Sequence, residues 1–558
     1  MKEHIGRIGL LLFSVIAITV LILSEYKKEE VAETNVFYFQ IGEETVQTWE
    51  KDDVYYLFLP AFVSKEDVIL TSYSPEFYVI SQGKKISRNE SLEGILFGKK
   101  VSCQFTASGE KFKLCVLKSE NIPALFIDTQ SGGIEELKAD KEYKVSGTVK
   151  AVSSDGVWEK GYALTSIGGR GNTSFAGYEK KPFSITLNEA ASILGLPEGQ
   201  KYALISNASD PSLIRNDMAR RMEMALELPF SHAGQFVDLY VNGEYEGNYY
   251  FCDDIEIGDK RVDIPNMETY TDMFYNTRNY ESEEIYETDT AKAKVLQVNP
   301  KDITGGYLMD REYSQRYEHE YARISSGFIT EQKEHFVVKN PRYCSVEQIE
   351  YISGYVNEAE KAILSPDGKN PETGKHYTEY IDADSFVKKY LVEEVSKNYD
   401  AGVSSSYFYK DSDLNSGKLY AGPGWDYDMS LGNYVDWMEE FSADPAGISE
   451  LAFHTYASSW YTELYAKSEF YVMVEEYYWK SAEPFLEEML EHGIDAYQKE
   501  MEASAKMNEI RWQEELKANP YYKNRQQTFT ELKEFLAERK AYLDEAWKLG
   551  EMNTDRKR

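Results

Sequence analysis

Three aspartates gather around one short stretch of this chain, "KNYDAGVSSSYFYKDSDLNSGKLYAGPGWDYD", Lys397 to Asp428. The run before Asp400, "DADSFVKKYLVEEVSKN", offers Asp384 as a cap. It places Phe386, Val387, Tyr390, Leu391 and Val395 on one face, which predicts a helix over 384–398. After the break "YDAGVS", "SYFYK" reads as a strand, "DSDLNSG" as a turn and "KLYAG" as the return strand. An antiparallel hairpin delivers its exit beside its start. Asp426 and Asp428 of "PGWDYD" are therefore predicted at the same end as Asp400. Carboxylates brought that close repel one another unless a cation sits between them, and a hard divalent ion such as Mg²⁺ takes oxygen ligands of this kind.

The layout has the logic of phosphoryl transfer. One Asp on a loop after a helix accepts the proton of an acceptor hydroxyl, and another beyond the hairpin holds the ion that bridges the phosphates. Asp400 is then the base, with Asp426 and Asp428 the metal candidates. Ser405 stands five residues after Asp400, where ordinary protein kinases carry an Asn that binds a second metal; a hydroxyl there is a weaker ligand. A single acid at a helix end is more commonly a cap or a solvated charge, so the weight falls on the three together. A glycosidase would need two carboxylates ~5–9.5 Å apart across a sugar-sized cleft, and three at one hairpin end suit a metal better. No Ser-His-Asp or Cys-His arrangement stands out, and His454 and the other histidines form no spaced set and read as structural.

The elements that must position these residues make the chain α+β. Its 558 residues predict about two to four domains. Residues 1–35 hold a targeting segment and a charged tether. Lys2 and Arg7 precede the apolar run "IGLLLFSVIAITVLIL", Ile8 to Leu23, read as an uncleaved signal anchor ahead of a cleaved signal peptide. Either reading places the remaining chain outside the cytoplasmic membrane, attached to it through the N-terminal helix if uncleaved. Residues 36–120 alternate in short runs ("VFYFQI", "KVSCQFTA", "KFKLCVL") and read as an all-β, sandwich-like module. Cys103 and Cys115 flank a hairpin there, equally compatible with a disulfide and with two buried thiols. Residues 121–450 mix strands and helices. "DPSLIRNDMARRMEMALEL" predicts a helix capped by Asp210 with Pro211 first, and Asn242-Gly243 marks a hairpin. Residues 266–303 are acidic and weakly periodic, a predicted surface insertion, and residues 451–558 carry helical periodicity. The net charge of −34 repels phosphate backbones and argues against nucleic-acid binding.

From about 120 to 435 the sequence also resembles the spore-coat CotH kinases, secreted atypical protein kinases of bacteria. The segments "IPALFIDT", "GGRGNTSF" with "KKPFSITL", "SDPSLIRNDMA", "VDLYVNGEYEGNYYFCDDIEIG", "GGYLMD", "FVVKNP", "LVEEVSKNYD", "SYFYKD" and "GPGWDYDMSLGN" fall in that family's order. The resemblance implies an atypical protein-kinase-like core between the β module and the helical C-terminal subdomain. It implies ATP and Mg²⁺ as cofactors and transfer to Ser/Thr of coat or envelope proteins. Carried over, Asp400 is the catalytic aspartate, and Asp426 the first metal ligand with Asp428 the second. Lys180 or Lys181 is the phosphate-binding lysine, while Arg170 and Asn172 shape or contact the nucleotide pocket. Arg215 and Asn216 are pocket or core-bridging residues. Asp253 stands where the family usually has a Glu, with a shorter reach. That departure and Ser405 leave room for the alternative of a catalytically degenerate envelope or coat scaffold.

Overall fold

The structure is a computed structural model that describes residues 36–71, 76–81, 83–402, 404–434, 444–448, 459–518 and 524–548. The expected anchor and His454 lie outside the described residues. No helix among the described residues is long and apolar enough to cross a membrane. The architecture is mixed α+β, with several sheets and a helical C-terminal region.

Two compact units divide the chain. The first takes residues up to 59 and 63–117; the second takes 60–62 and 118 onward. In the first, one sheet has three strands and another six, around an aromatic core in which Phe37 meets Phe77 at 4.4 Å and Phe112 at 5.1 Å between ring centres. Cys103 and Cys115 are free and buried. They sit on paired strands out of register, with Cys103 opposite Phe112 and Cys115 opposite Lys100, so the disulfide alternative falls.

The second unit begins with a closed seven-stranded barrel. In spatial order its strands are Ala124–Thr129, Lys144–Val152, Tyr162–Gly169, Phe183–Ala191, Gly199–Ile205, Glu244–Asp253 and Gly234–Val241. Closure is made by the parallel pairing of Ala124–Thr129 with Gly234–Val241. Strand side chains alternate between faces, and the inward set fills the barrel: Leu125 and Ile127, Ile185 and Leu187, Val237 and Leu239, Tyr249 and Phe251. The hairpin at Asn242-Gly243 has both residues at positive φ, +51° and +81°, the backbone a two-residue turn demands.

The second sheet holds the site. Its antiparallel order is Ile285–Glu287, Ala291–Lys294, Gly327–Ile329, His335–Asn340, Tyr307–Glu312, Ser406–Lys410 and Leu419–Ala421. One face, with Tyr307, Met309, Phe336, Val338 and Phe408, joins one core with helices Val346–Leu364 and Ala383–Ser396. The other face carries Asp310 and Glu312, with Tyr407 opposite Asp310 on one side and Val337 on the other. Part of the predicted insertion belongs to this sheet, since Ala291–Lys294 pairs with Gly327–Ile329. Weak periodicity hid a strand only four residues long.

Two predicted caps move. The helix before Asp400 is capped by Asp382, whose side chain accepts from Ser385 N–H at 2.8 Å. Asp384 lies in the first turn and pairs with Lys388 at 2.7 Å. Asp210 does not start a helix at Pro211. Its carboxylate accepts from Ser212 N–H (2.9 Å) and Arg215 N–H (3.0 Å), closing a turn before the helix Arg215–Ala225.

Candidate active site

The helix Ala383–Ser396 ends because Lys397 turns left-handed, at φ +48°. Asn398 then anchors the loop: its amide donates to Glu393 Oε2 at 2.8 Å, and its Oδ1 accepts from Asp400 N–H at 3.2 Å. The two ends of the hairpin meet through the main chain. Tyr399 N–H donates to Met429 O (3.3 Å), and Leu431 N–H to Ser396 O (2.7 Å). Ser405 and Asp426, both at positive φ, join side chains, with Ser405 Oγ donating to Asp426 Oδ2 at 3.3 Å. Ser209 donates a short hydrogen bond to Asp428 Oδ2.

These carboxylates press on one another. Burial, then Asp426 and Asp428, raise Asp400 well above the ordinary carboxylate range. Burial and Asp426 push Asp428 up to about 7. Two acids that the sequence reading missed join them. Asp310 is raised by burial, opposed by Lys339 and Arg316, with Asp426 adding to the rise. Glu312 is pushed up to about 8 by burial and then Asp310. Arg316 stands 3.3 Å from Glu312 and 3.5 Å from Glu320, and its charge is felt at Asp400. The signal for these residues was present in "GGYLMDRE". Two acids two apart on a strand share a face, and such a strand needs something polar to face.

Among the described residues, no three His, Cys, Asp or Glu side chains stand at the spacing of a preformed metal site. The donors nevertheless suit a hard ion. All are oxygens, their ionised forms repel, and Asp310 Oδ1 is buried without a hydrogen-bond partner. Mg²⁺ is commonly held by one or two carboxylates plus waters and substrate phosphates, so a three-residue cage is not required. Asp426 and Asp428 would hold it, with Ser405 orienting Asp426.

The other predicted contacts divide. Arg170 reaches the site, its guanidinium lying over the Trp425 ring at 4.9 Å, beside Asp426 in sequence. Asn172 donates to Glu320 at 3.3 Å and accepts from Lys141 at 2.5 Å. Lys180 is spent on main-chain oxygens. Its Nζ donates to Ser206 O (2.7 Å) and Asn248 O (2.5 Å), and burial lowers it to about 7. The cavity it lines, with Asn508, Trp512 and Glu515, is about 20 Å³, room for a water and not for a phosphate. Lys181 is buried and donates to Phe175 O at 2.7 Å. Asp253 accepts from Ala233 N–H at 2.6 Å and pairs with neither lysine; barrel register spends it at the strand end. Of its two expected roles, Arg215 takes the core-bridging one in the structure. It is buried, ion-paired to Asp210, and donates to Ser430 O (2.9 Å) and Leu431 O (3.3 Å). With Asn216, which accepts from Tyr427 N–H at 2.9 Å, it staples the loop of Asp426 and Asp428 in place.

The family model described as CotH kinase protein matches residues 167–543. That span runs from the end of the barrel strand before "GRGNTS" through both sheets and most of the C-terminal helices. No curated protein matches the chain.

Proposed function

The chain belongs to the CotH kinase protein family, and from that premise we propose that it transfers the γ-phosphate of Mg-ATP to Ser/Thr hydroxyls of envelope or coat proteins outside the cytoplasmic membrane. The observation that carries this reading is the meeting of hairpin start and exit, where Tyr399 N–H donates to Met429 O and Ser405 to Asp426, which brings Asp400, Asp426 and Asp428 to one place. Asp400 accepts the acceptor hydroxyl's proton. Its loop is fixed by Asn398 and the helix end, so the carboxylate is aimed before substrate arrives. Asp426 and Asp428 present oxygens for the ion, whose chemistry when bound is to bridge and neutralise the phosphates. Arg170, over the Trp425 ring and 3.8 Å from Asp254 through one amine, has its other amine buried and unpartnered and offers that donor to phosphate oxygens.

Replacing Asp400 by Asn tests the assignment. Phosphate incorporation from labelled ATP is expected to fall by roughly 10²–10⁴-fold, the usual contribution of a positioned base, with the melting curve intact. Incorporation at the normal rate would reject Asp400 as the base.

A second reading is a non-catalytic scaffold built on the same core. It is favoured by Lys180 and Asp253 being spent on main-chain partners and not on each other. A scaffold gives no Mg-dependent heat on titration with ATP, whereas the kinase does.

A further inference from the structure

The six-stranded sheet of the first unit buries only one of its faces. Four of its strands lie in the order Lys111–Lys118, Lys100–Phe105, Phe77–Ser81 and Lys84–Ile86. Phe112, Leu114, Cys103, Phe77 and Val79 point into the core. Side chains alternate along a strand, so their neighbours point out. Register lines these up in two rows. Lys113, Ser102, Ile80 and Lys85 cross all four strands, with Lys111, Gln104 and Tyr78 beside them. Lys100 completes the outer set of its strand.

The four lysines are exposed, and so is Ile80, to 38%. Lys113 donates to Ser102 at 2.8 Å, and Lys85 lies over the Tyr78 ring at 3.9 Å. Among the described residues none of the four pairs with a carboxylate. No outward position on these strands holds Asp or Glu, in a chain with 95 acids against 61 Lys and Arg. Glu76 and Glu110 stand outside the strands, in the turns at one end.

The layout selects its occupant. Lys85 and Lys113 are three strands apart, about 14 Å by the usual strand spacing, too far for one compact anion. A glycan asks for bare ring faces and hydrogen-bonding groups. Here the Tyr78 ring already carries Lys85, its hydroxyl is spent on Gln104 at 2.7 Å, and the exposed centre is Ile80. An apolar centre ringed by spaced cations suits an extended anionic surface with an apolar interior. Such a surface is near on the anchor reading of the N-terminus. Only residues 24–35 separate the apolar run ending at Leu23 from Val36, at most about 40 Å of chain.

We propose that this sheet face rests on an anionic phospholipid bilayer. Ile80 and Tyr78 meet the surface, and Lys85, Lys100, Lys111 and Lys113 meet its headgroup phosphates. The net charge of −34 repels such a surface overall, so the contact is local and orients the unit.

The test uses the whole chain on vesicles, once of phosphatidylcholine alone and once with phosphatidylglycerol added. Lysines are acetylated briefly and their rates read by mass spectrometry. An N-terminal anchor would hold the protein equally on both, so it does not enter the comparison. Lys85, Lys100, Lys111 and Lys113 are expected to react roughly five- to tenfold more slowly on the anionic vesicles, since one lysine near such a surface is worth about fivefold. Exposed Lys260 and Lys333 of the second unit should not change. High salt should abolish the difference, and Lys100→Gln/Lys113→Gln should remove most of it at Lys85 and Lys111. Equal rates on the two vesicles overturn the proposal. Slowing that extends to Lys260 and Lys333 also overturns it, because the effect is then general. So does equal protection on phosphatidylcholine vesicles by a soluble glycerol-phosphate polymer or acidic glycan, which makes the face a polymer site.

Discussion

Glu223 and Glu393 share one phenol and one ammonium beneath the aspartate loop. The Tyr427 hydroxyl lies 3.1 Å from Glu223 Oε1 and 2.8 Å from Glu393 Oε1, and Lys389 forms a short ion pair with Glu393. One ammonium cannot neutralise two buried carboxylates. Burial, opposed by Lys389 and reinforced by Glu393, pushes Glu223 up to about 7. A carboxyl whose folded pKa exceeds its unfolded one stabilises the fold fully below the unfolded value and loses that stability as pH rises through the folded one. The window here runs from about pH 4.5 to 7, and the swing is roughly 3 kcal/mol for a fully buried group. Glu223→Gln keeps a neutral amide in place and should remove this share of the slope. Denaturant midpoints at pH 5 and pH 8 check it: the variant gains on the wild type at the higher pH. A gap equal at both pH values would show that Glu223 does not titrate in that window. None of this network was legible in the sequence, because Glu223 sits within a helical run and Tyr427 between two aspartates, where both look solvent-facing. Gly424 also reads as turn punctuation in "GPGW"; in the fold a Cβ there would come 1.7 Å from Glu223 Oε1. Close approach, and not a turn, demands the glycine.

At the scale of elements, the hairpin does what its sequence promised. Alternating "SYFYK" and "KLYAG" become Ser406–Lys410 and Leu419–Ala421, and their exit returns to Asp400. Period-two patterning and a turn are local information, so the meeting of Asp400 with Asp426 and Asp428 could be read in advance. The barrel's closure could not, because it depends on Ala124–Thr129 pairing with Gly234–Val241, more than a hundred residues away. The loop after the hairpin also depends on a distant element, the helix Arg215–Ala225. Its Asn216 side chain accepts from Tyr427 N–H and donates to Asn207 Oδ1 at 3.1 Å. Asn216→Ala strands a buried main-chain donor, at a cost of about 1–3 kcal/mol. Loosened Asp426 and Asp428 should then demand more Mg²⁺, roughly tenfold for each 1.4 kcal/mol of lost order. Titrating Mg²⁺ against phosphate incorporation at fixed ATP measures this. An unchanged Mg²⁺ midpoint in a measurably destabilised variant would mean that the loop's order and the ion are unrelated.

Across the whole second unit, the C-terminal helices bind both halves of the site together. On one side, the helix Ile494–Arg511 and the residues after it grip the barrel. Ser504 donates to Asp238 at 2.6 Å, Trp512 Nε1 to Glu246 O at 2.9 Å, and Glu515 accepts from the main chain of Glu179 and Lys180. On the other side, the helix Arg525–Ala546 places Arg539, fully buried, against the end of the helix that leads to Asp400. The guanidinium pairs with Glu394 at 2.9 Å and donates to Pro445 O at the same distance. Helical periodicity announced these helices, yet a charged residue on a repetitive Glu/Lys-rich stretch looks like a solvated face, so the clasp itself was hidden. Removing one partner of a buried pair leaves an uncompensated charge and costs about 3–5 kcal/mol, whereas replacing both by apolar groups is often close to neutral. Arg539→Leu should therefore lower stability by that amount and slow phosphate incorporation, since the Asp400 loop hangs from the same helix end. Adding Glu394→Leu should restore much of the stability, though the carbonyls of Pro445 and the helix end stay unpaired. A double-mutant cycle by chemical denaturation gives the coupling directly. Additive losses, with no recovery in the double variant, would show that Arg539 acts through its main-chain acceptors and not through Glu394.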